Sequence, residues 1–269
     1  MDYIIDSHRH VWPGKTDLLC TFKEMDRDGI KKTALFGYHG MNFYPEENQQ
    51  DIEIIEFSRA NPDRILPFIC DFDFYDEKAP EYVEQLAEDG GVYGVGEVLF
   101  GHTPMRRQVF TQKQIDDDRP IEVFKAAGRC GLPVLIHADR AFRPELENAI
   151  RCCPDTNFIW AHIAYDFMAE YGGAASEISY IKKLVNDFSN VYFDISHWKI
   201  SPIYLCSEDW QHLLEDSFDR FIFGMDMSED YMLEGLWFST YKAVLSGLSC
   251  KAQQSILAGN FMRLICLPM

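Results

Sequence analysis

Eight short and almost continuously apolar runs recur along the chain, and they constrain the fold more than any other feature of the sequence. Runs of this kind, rich in Ile, Val and Phe, are typical of strands that are buried on both faces of a parallel sheet. The sequence therefore predicts eight strands, at 3–6, 33–38, 64–72, 93–100, 133–138, 158–163, 191–196 and 220–226.

Stretches with helical spacing separate these runs and include 52–61, 120–131, 177–188 and 231–245. The second of them begins at Pro120 and ends at Gly131, which is the usual order of these two residue types in a helix. A strand, a helix and a second strand within about thirty residues form the unit from which parallel sheets are built. The alternation therefore favours a parallel sheet covered by helices.

Eight such units close most naturally into a barrel of about 250 residues. We predict an α/β fold, a (β/α)8 TIM barrel, with residues 1–269 in a single domain. An open doubly wound sheet is the structural alternative. No Gly-x-Gly-x-x-Gly turn follows the first run, which disfavours the dinucleotide-binding form of that alternative.

Polar side chains occur where several of the apolar runs end, and in barrels of this type the active site lies at the carboxyl ends of the strands. His8 and His10 are two residues apart, so both point to the same side of an extended chain. Glu97 lies within the apolar run 93–100, where an unpaired carboxylate would be costly. Three later runs end in or near His137, His162 and Asp226.

Each of these residues also has an ordinary structural explanation. A lone histidine is often a hydrogen-bonded core residue, Glu97 could form a salt bridge, and Asp226 could cap a helix. The joint pattern favours metal binding, because five strands deliver a metal-compatible side chain to the same end of the predicted barrel. Nitrogen and oxygen ligands of this kind suit Zn²⁺, our first choice, as well as Mn²⁺, Fe²⁺ or Ni²⁺, as one or two ions.

The ordered set of motifs resembles the amidohydrolase superfamily along the whole chain. The matching segments are DSHRH, GEV, PVLIHA, FIWAHI, GMD and the closing AGNFMRLI at 258–265. The glutamate in the fourth run is similar to the bridging carboxylate of TatD-type members with two metal ions. The resemblance implies a metal-dependent hydrolase in which a metal-bound hydroxide cleaves a lactone, an ester or an amide of a small molecule.

The resemblance also implies a role for each site residue. His8, His10 and Asp226 would hold the more buried ion, and His137 and His162 would hold the more exposed one. Glu97 would bridge both ions. Asp226 would act in catalysis as the proton shuttle for the attacking water.

Two other reactions stay open on the same barrel. A decarboxylase or other lyase of this superfamily usually has one metal ion and lacks the carboxylate of the fourth strand, so Glu97 favours hydrolysis. A hydrolase of small phosphoesters is the other possibility, although no clear phosphate cradle is visible. A non-catalytic binding protein would be expected to have a degenerate site, whereas all six ligand positions are filled here.

Substrate contacts are predicted for His197, Arg9 and Arg140, which lie in loops after the strands. The alternative for His197 is packing beside Trp198, and the alternative for the arginines is solvation or pairing with nearby acids. The polar segment 101–119 follows the fourth run and is a candidate lid over the site.

The formal net charge of −18 argues against nucleic acids and anionic membranes as partners, because such binding depends on Lys and Arg. No apolar stretch approaches the roughly 18 residues of a membrane span, and the start MDYIID resembles no secretory signal. Eight cysteines without a Cys-x-x-Cys pair predict reduced, mostly buried thiols in the cytoplasm. We expect a small-molecule substrate, and a homo-oligomer is compatible with the sequence.

Overall fold

Eight parallel strands form one sheet in the order of the sequence, from β1 to β8. The computed structural model describes residues 3–11, 18–38, 49–100, 114–164, 174–196, 202–226 and 231–267. The strands are β1 Ile4–His10, β2 Ile30–Phe36, β3 Ile65–Ile69, β4 Gly94–Phe100, β5 Val134–Ala138, β6 Phe158–Trp160, β7 Val191–Asp194 and β8 Phe221–Ile222.

A helix follows each strand, and the first seven of these helices return the chain to the start of the next strand. These helices are α1 Leu18–Asp28, α2 Gln49–Ala60, α3 Ala79–Asp89, α4 Asp118–Arg129, α5 Arg143–Cys152, α6 Ala174–Asp187, α7 Glu208–Asp216 and α8 Tyr231–Leu245. The chain then forms α9 Cys250–Gln254, a π-helical turn Ser255–Gly259 and α10 Asn260–Leu264.

The sheet curls until its last strand meets its first. Beyond the end of β8, the Phe223 carbonyl accepts a hydrogen bond from Ser7 N at 3.0 Å, and Asp226 N donates to the His8 carbonyl at 2.8 Å. These bonds join both edges of the sheet, so the open doubly wound alternative is excluded. The predicted single-domain (β/α)8 TIM barrel is confirmed.

The core consists of two layers that follow from the alternation of side chains along each strand. On β3, Leu66 and Phe68 point into the barrel, where Phe261 of α10 stacks on Phe68 at 5.9 Å between ring centroids. Ile69 instead packs outward with the apolar faces of the helices. Full burial of each such side chain contributes about 1.5–3 kcal/mol to stability.

Five strands, β2, β3, β6, β7 and β8, end two or more residues before the ends of the apolar runs that predicted them. The run 158–163 continues past β6 as a 3₁₀ turn, Ala161–Ala164, and the run 220–226 leaves strand geometry after Ile222. His162 and Asp226 have positive φ angles, of 62° and 52°, which no extended strand allows. Of the predicted lid, 101–113 lies outside the described residues, and the part from Asp118 already belongs to α4.

All eight cysteines are free thiols, but the prediction that most of them are buried is wrong. Four of them are exposed, and all four lie at or just beyond the ends of helical segments: Cys152, Cys206, Cys250 and Cys266. Among the described helices, none combines the length and the apolar character that crossing a membrane requires.

A buried carboxylate ties the first turn of α2 to the end of β3. Asp51 accepts hydrogen bonds from the backbone N of Cys70 at 2.9 Å, from that of Asp71 at 3.1 Å and from the Tyr82 hydroxyl at 3.2 Å. Asp71 in turn accepts from Gln50 N at 2.9 Å. Burial raises the pKa of Asp51 from 3.8 to about 7, in spite of these hydrogen bonds.

This raised pKa predicts that Asp51 destabilises the protein as the pH rises. Between about pH 4 and 7 the native state holds a proton that the unfolded chain releases, so the stabilisation present at low pH is lost as the pH rises through this window. The difference corresponds to about 4 kcal/mol of unfolding free energy. Urea denaturation should therefore show a decline of about that size in the wild type that is missing in Asp51→Asn. The exposed Asp89→Asn serves as the control, and equal pH profiles for wild type and Asp51→Asn would contradict the prediction.

Candidate metal centre

Glu97 lies between two pairs of histidines in the mouth of the barrel. Its Oε2 lies 3.2 Å from His10 Nε2 and 3.6 Å from His8 Nε2. Its Oε1 lies 3.4 Å from His162 Nε2 and 3.5 Å from His137 Nδ1. Each oxygen of one buried carboxylate therefore faces one pair of imidazoles.

Asp226 contacts both pairs from the end of the barrel wall. Its Oδ1 lies 3.2 Å from His8 Nε2 and 3.5 Å from His10 Nε2, and its Oδ2 lies 3.7 Å from His162 Nδ1. The structure thus brings all six predicted ligand residues together. Among the described residues, three groups have facing atoms within 4.8 Å of one another. They are His8, His10 and Asp226, called the first group, Glu97, His137 and His162, called the second group, and a third set of His8, His162 and Asp194.

Local backbone geometry places these side chains. Gly96 has a φ of +133°, and a Cβ there would lie 2.3 Å from the Leu135 carbonyl oxygen, so only glycine allows β4 to approach β5 this closely before Glu97. His162 and Asp226 both lie in the left-handed region, which is sparsely populated for residues other than glycine. Backbone strain of this kind is concentrated at functional sites.

Each histidine has a further polar contact on its other ring nitrogen. His8 Nδ1 donates to Asp194 at 2.6 Å, and His10 Nδ1 donates to the Gly37 carbonyl at 3.0 Å. His137 Nε2 donates to Asp139 at 3.0 Å, and His162 Nδ1 lies 3.3 Å from the Ser196 carbonyl. Such partners orient histidines that bind metal ions and increase their basicity.

The buried carboxylates of the site raise the pKa values of two of its histidines. Burial disfavours a charged His8, but Asp226, Glu97 and Asp194 outweigh it and raise the pKa of His8 well above its ordinary value. Burial also opposes a charged His137, and yet Asp139 and Glu97 raise its pKa to about 9.

The two carboxyl groups show the opposite shift. Burial favours their neutral form, but the neighbouring histidines lower the pKa of Glu97 well below its usual range, chiefly through His8, and lower the pKa of Asp226 as well. Both groups are therefore ionised at neutral pH. A divalent ion would supply the positive charge that these carboxylates attract.

Two atoms at the centre are buried and make no hydrogen bond. They are His8 Nε2 of the first group and Glu97 Oε1 of the second, although oppositely charged groups lie within 4 Å of both. A buried polar atom without a hydrogen bond costs about 1–3 kcal/mol. Metal ions bound between these atoms would satisfy both, so the residues present fit divalent cations.

The two arginines predicted to contact the substrate are paired with acidic residues. Arg9 is buried and its Nε donates to Asp6 at 3.1 Å, and Arg140 forms an ion pair with Glu177, which Arg143 also contacts. These contacts correspond to the alternative of pairing with nearby acids, and substrate binding by either arginine stays a prediction. His197 lies outside the described residues.

Three further residues lie at the site, and the sequence patterns above do not identify them. Asp194 and Ser196 lie at the end of the seventh apolar run, 191–196, and contact His8; the predicted ligands on other strands lie at equivalent positions. Tyr38 stacks on His10 with 4.2 Å between ring centroids and an interplanar angle of 9°. The polar end of the seventh run could have identified the first two, whereas the stacking of Tyr38 depends on how β2 lies beside β1.

Comparison with protein families supports the sequence-based resemblance. The family model described as amidohydrolase matches residues 5–260, which is nearly the whole chain. It does not single out the TatD-like branch, which stays a prediction. No curated protein matches the sequence.

Several solved structures share the architecture over almost their full length. An amidohydrolase from Burkholderia multivorans with bound zinc has a TM-score of 0.72 at 12% identity, covering 99% of this chain and 100% of that one. A probable 2-pyrone-4,6-dicarboxylic acid hydrolase from Acinetobacter baumannii has a TM-score of 0.71 at 13% identity, with the same coverage. The 5-carboxyvanillate decarboxylase from Sphingomonas paucimobilis has a TM-score of 0.65 at 12% identity, with both chains covered completely. At such identities the likeness concerns the fold alone.

Proposed function

The chain belongs to the amidohydrolase family, and on that basis we propose that it is a metal-dependent hydrolase of a small molecule. The bond cleaved is proposed to be that of a lactone or other ester, or an amide. One observation carries this proposal: Glu97 lies between His8 and His10 on one side and His137 and His162 on the other.

The arrangement of ligand atoms supports two ions, with Zn²⁺ as the proposed metal. The first group would hold one ion, the second group would hold the other, and Glu97 would contact both. Imidazole and carboxylate ligands suit Zn²⁺, and Mn²⁺, Fe²⁺ and Ni²⁺ are the alternatives. When bound, such ions lower the pKa of a water and polarise the oxygen of the bond to be cleaved.

Asp226 is the proposed proton acceptor. Its carboxyl group is ionised, because His8 and His162 lower its pKa against the effect of burial. One of its oxygens faces each histidine pair, at 3.2 Å from His8 Nε2 and 3.7 Å from His162 Nδ1. In this position Asp226 can take a proton from the attacking water and pass it to the leaving group.

A decarboxylase on the same barrel is the second candidate. The structural likeness to 5-carboxyvanillate decarboxylase is compatible with it. Two features favour hydrolysis: the carboxylate on β4, and its similar distances of 3.2–3.6 Å from one histidine pair and 3.4–3.5 Å from the other. A small phosphoester hydrolase remains the third candidate.

We also propose a cytoplasmic enzyme with a small-molecule substrate and without nucleic-acid or membrane partners. The net charge of −18 supports this, because anionic partners would be repelled. Assembly into a homo-oligomer stays a prediction.

Thermal unfolding with and without Zn²⁺ tests the metal centre. A ligand held at 1,000 times its dissociation constant stabilises the native state by about 4 kcal/mol, which raises the Tm by about 10 °C in a chain of this size. Metal analysis should give two ions per chain. The variant His10→Ala should lose much of the shift, and His212→Ala, at an exposed histidine on α7, should keep it. Equal Tm values with and without metal would contradict the proposal.

A hydrolysis screen then identifies the reaction. The protein loaded with Zn²⁺ is tested on aryl esters, γ- and δ-lactones, N-acyl amino acids, aryl phosphates and aromatic carboxylic acids. Cleavage of esters, lactones or amides supports the proposed function. Turnover of the carboxylic acids alone, with one ion per chain, would favour the decarboxylase instead.

A further inference from the structure

Asp194 and Ser196 form a buried pair next to the first group of ligands. Asp194 ends β7, and both residues have an exposed fraction of 0%. Asp194 Oδ2 accepts from His8 Nδ1 at 2.6 Å, and its Oδ1 accepts from Ser196 N at 2.8 Å, while the Ser196 hydroxyl donates to Oδ2. A carboxylate placed in this way holds the proton on His8 Nδ1, so that Nε2, when it gives up its own proton, offers its lone pair to a cation on the side that faces Glu97 and Asp226.

The surroundings keep Asp194 in this position. A Cβ on Gly224 would lie 2.6 Å from Asp194 Oδ1 and 2.7 Å from His8 Cβ, so the backbone after β8 packs tightly against both residues. The hydroxyl of Tyr241 on α8 donates to the Ile195 carbonyl at 2.9 Å and anchors the backbone between Asp194 and Ser196. Asp194 is therefore preorganised before any ion binds.

The second group has an equivalent acid of its own. His137 Nε2 donates to Asp139 at 3.0 Å, and its Nδ1 faces Glu97 at 3.5 Å. Asp194 thus acts directly on His8 and Asp139 acts directly on His137, one histidine in each group. Asp194 reaches His162 of the second group only through Ser196, whose Oγ lies 3.2 Å from His162 Nδ1. This separation allows the contribution of each acid to be measured independently.

We propose that Asp194 is a positioning residue that strengthens binding of a divalent ion to the first group and has little influence on the second. The inference rests on the proposed metal centre. Its physical basis is the hydrogen bond to His8, which fixes the ring orientation and makes Nε2 a stronger donor to a cation. Loss of such a partner typically weakens metal binding by about 10–100-fold.

Zn²⁺ affinity, measured by competition with a chromophoric chelator, tests this inference in two backgrounds. His137→Ala leaves only the first group intact, and His10→Ala leaves only the second. Adding Asp194→Asn should weaken Zn²⁺ binding by about 10–100-fold in the first background and by less than about twofold in the second. The matched control Asp139→Asn should show the reverse pattern.

The remaining outcomes separate the possibilities. If the wild type binds no Zn²⁺, both the proposed function and this inference are overturned. Suppose that the wild type binds Zn²⁺ but that Asp194→Asn leaves the Zn²⁺ affinity unchanged, or weakens Zn²⁺ binding equally in both backgrounds. Only the inference is then overturned. A lower Tm of the metal-free variant with unchanged affinity would mean that Asp194 has only a structural role. Should Asp194→Asn fail to fold, Asp194→Ser is measured in the same way, because it removes the charge without placing a second donor against Ser196 N.

Discussion

Asp226→Asn is expected to lower kcat by about 10²–10⁴-fold, which is the usual contribution of a general base, while the protein folds and keeps most of its metal. The asparagine side chain is nearly the same size, so its oxygen can still face His8, 3.2 Å away in the wild type. Its amide cannot accept a proton from water. Steady-state kinetics on the best substrate of the screen, together with metal analysis of the same preparation, measures both properties.

The control for this experiment is Asp219→Asn, at an exposed aspartate before β8. It should retain the wild-type kcat. A kcat of Asp226→Asn close to that of the wild type would remove Asp226 as the proton shuttle. Loss of metal together with loss of turnover would instead make it chiefly a ligand.

Glu97→Gln is expected to reduce the metal content from two ions to at most one and to abolish most of the hydrolysis. The neutral amide removes the charge that faces His8 and His10 on one side and His137 and His162 on the other. Because Glu97 would contact both ions, whereas Asp226 would be one of the ligands of a single ion, the loss of affinity should exceed the roughly 10–100-fold typical of an outer residue. Metal analysis after dialysis, followed by Zn²⁺ titration, gives the stoichiometry and the affinities.

The matched control for Glu97→Gln is Glu84→Gln, which removes only a surface ion pair with Arg129. Such pairs contribute at most about 1 kcal/mol, so metal content and turnover should not change. A Glu97→Gln protein that binds one ion and keeps full turnover would exclude the bridging role. That result would favour the decarboxylase.

The fold was predictable because its signals are local. Continuous apolar runs and helical spacing follow from the burial of both faces of a parallel sheet, and eight repeats of this unit leave few alternatives to a barrel. The ends of two strands were not predictable, because His162 and Asp226 adopt left-handed backbone conformations after their apolar runs. An apolar run indicates that its residues are buried, but it gives no information about the backbone φ angle of each residue.

The candidate site was predictable to the extent that a barrel brings the carboxyl ends of its strands together. From that geometry alone, His8, Glu97 and His137 had to lie near one another if they pointed inward. The partners of Arg9 and Arg140 could not be deduced, since Asp6 and Glu177 are two among many acids in a chain with 43 of them. Which acid pairs with which base depends on distances that only the folded chain defines.

The sequence by itself determined the fold class and the set of chemical groups at the mouth of the barrel, because both follow from periodicity and from the residues at strand ends. Only the tertiary structure decided how those groups divide into two histidine pairs around Glu97, and that Asp194 supports His8 across 186 positions of the chain. The physical reason is closure of the barrel: residues far apart in the chain become neighbours only once the segment after β8 has bonded to β1.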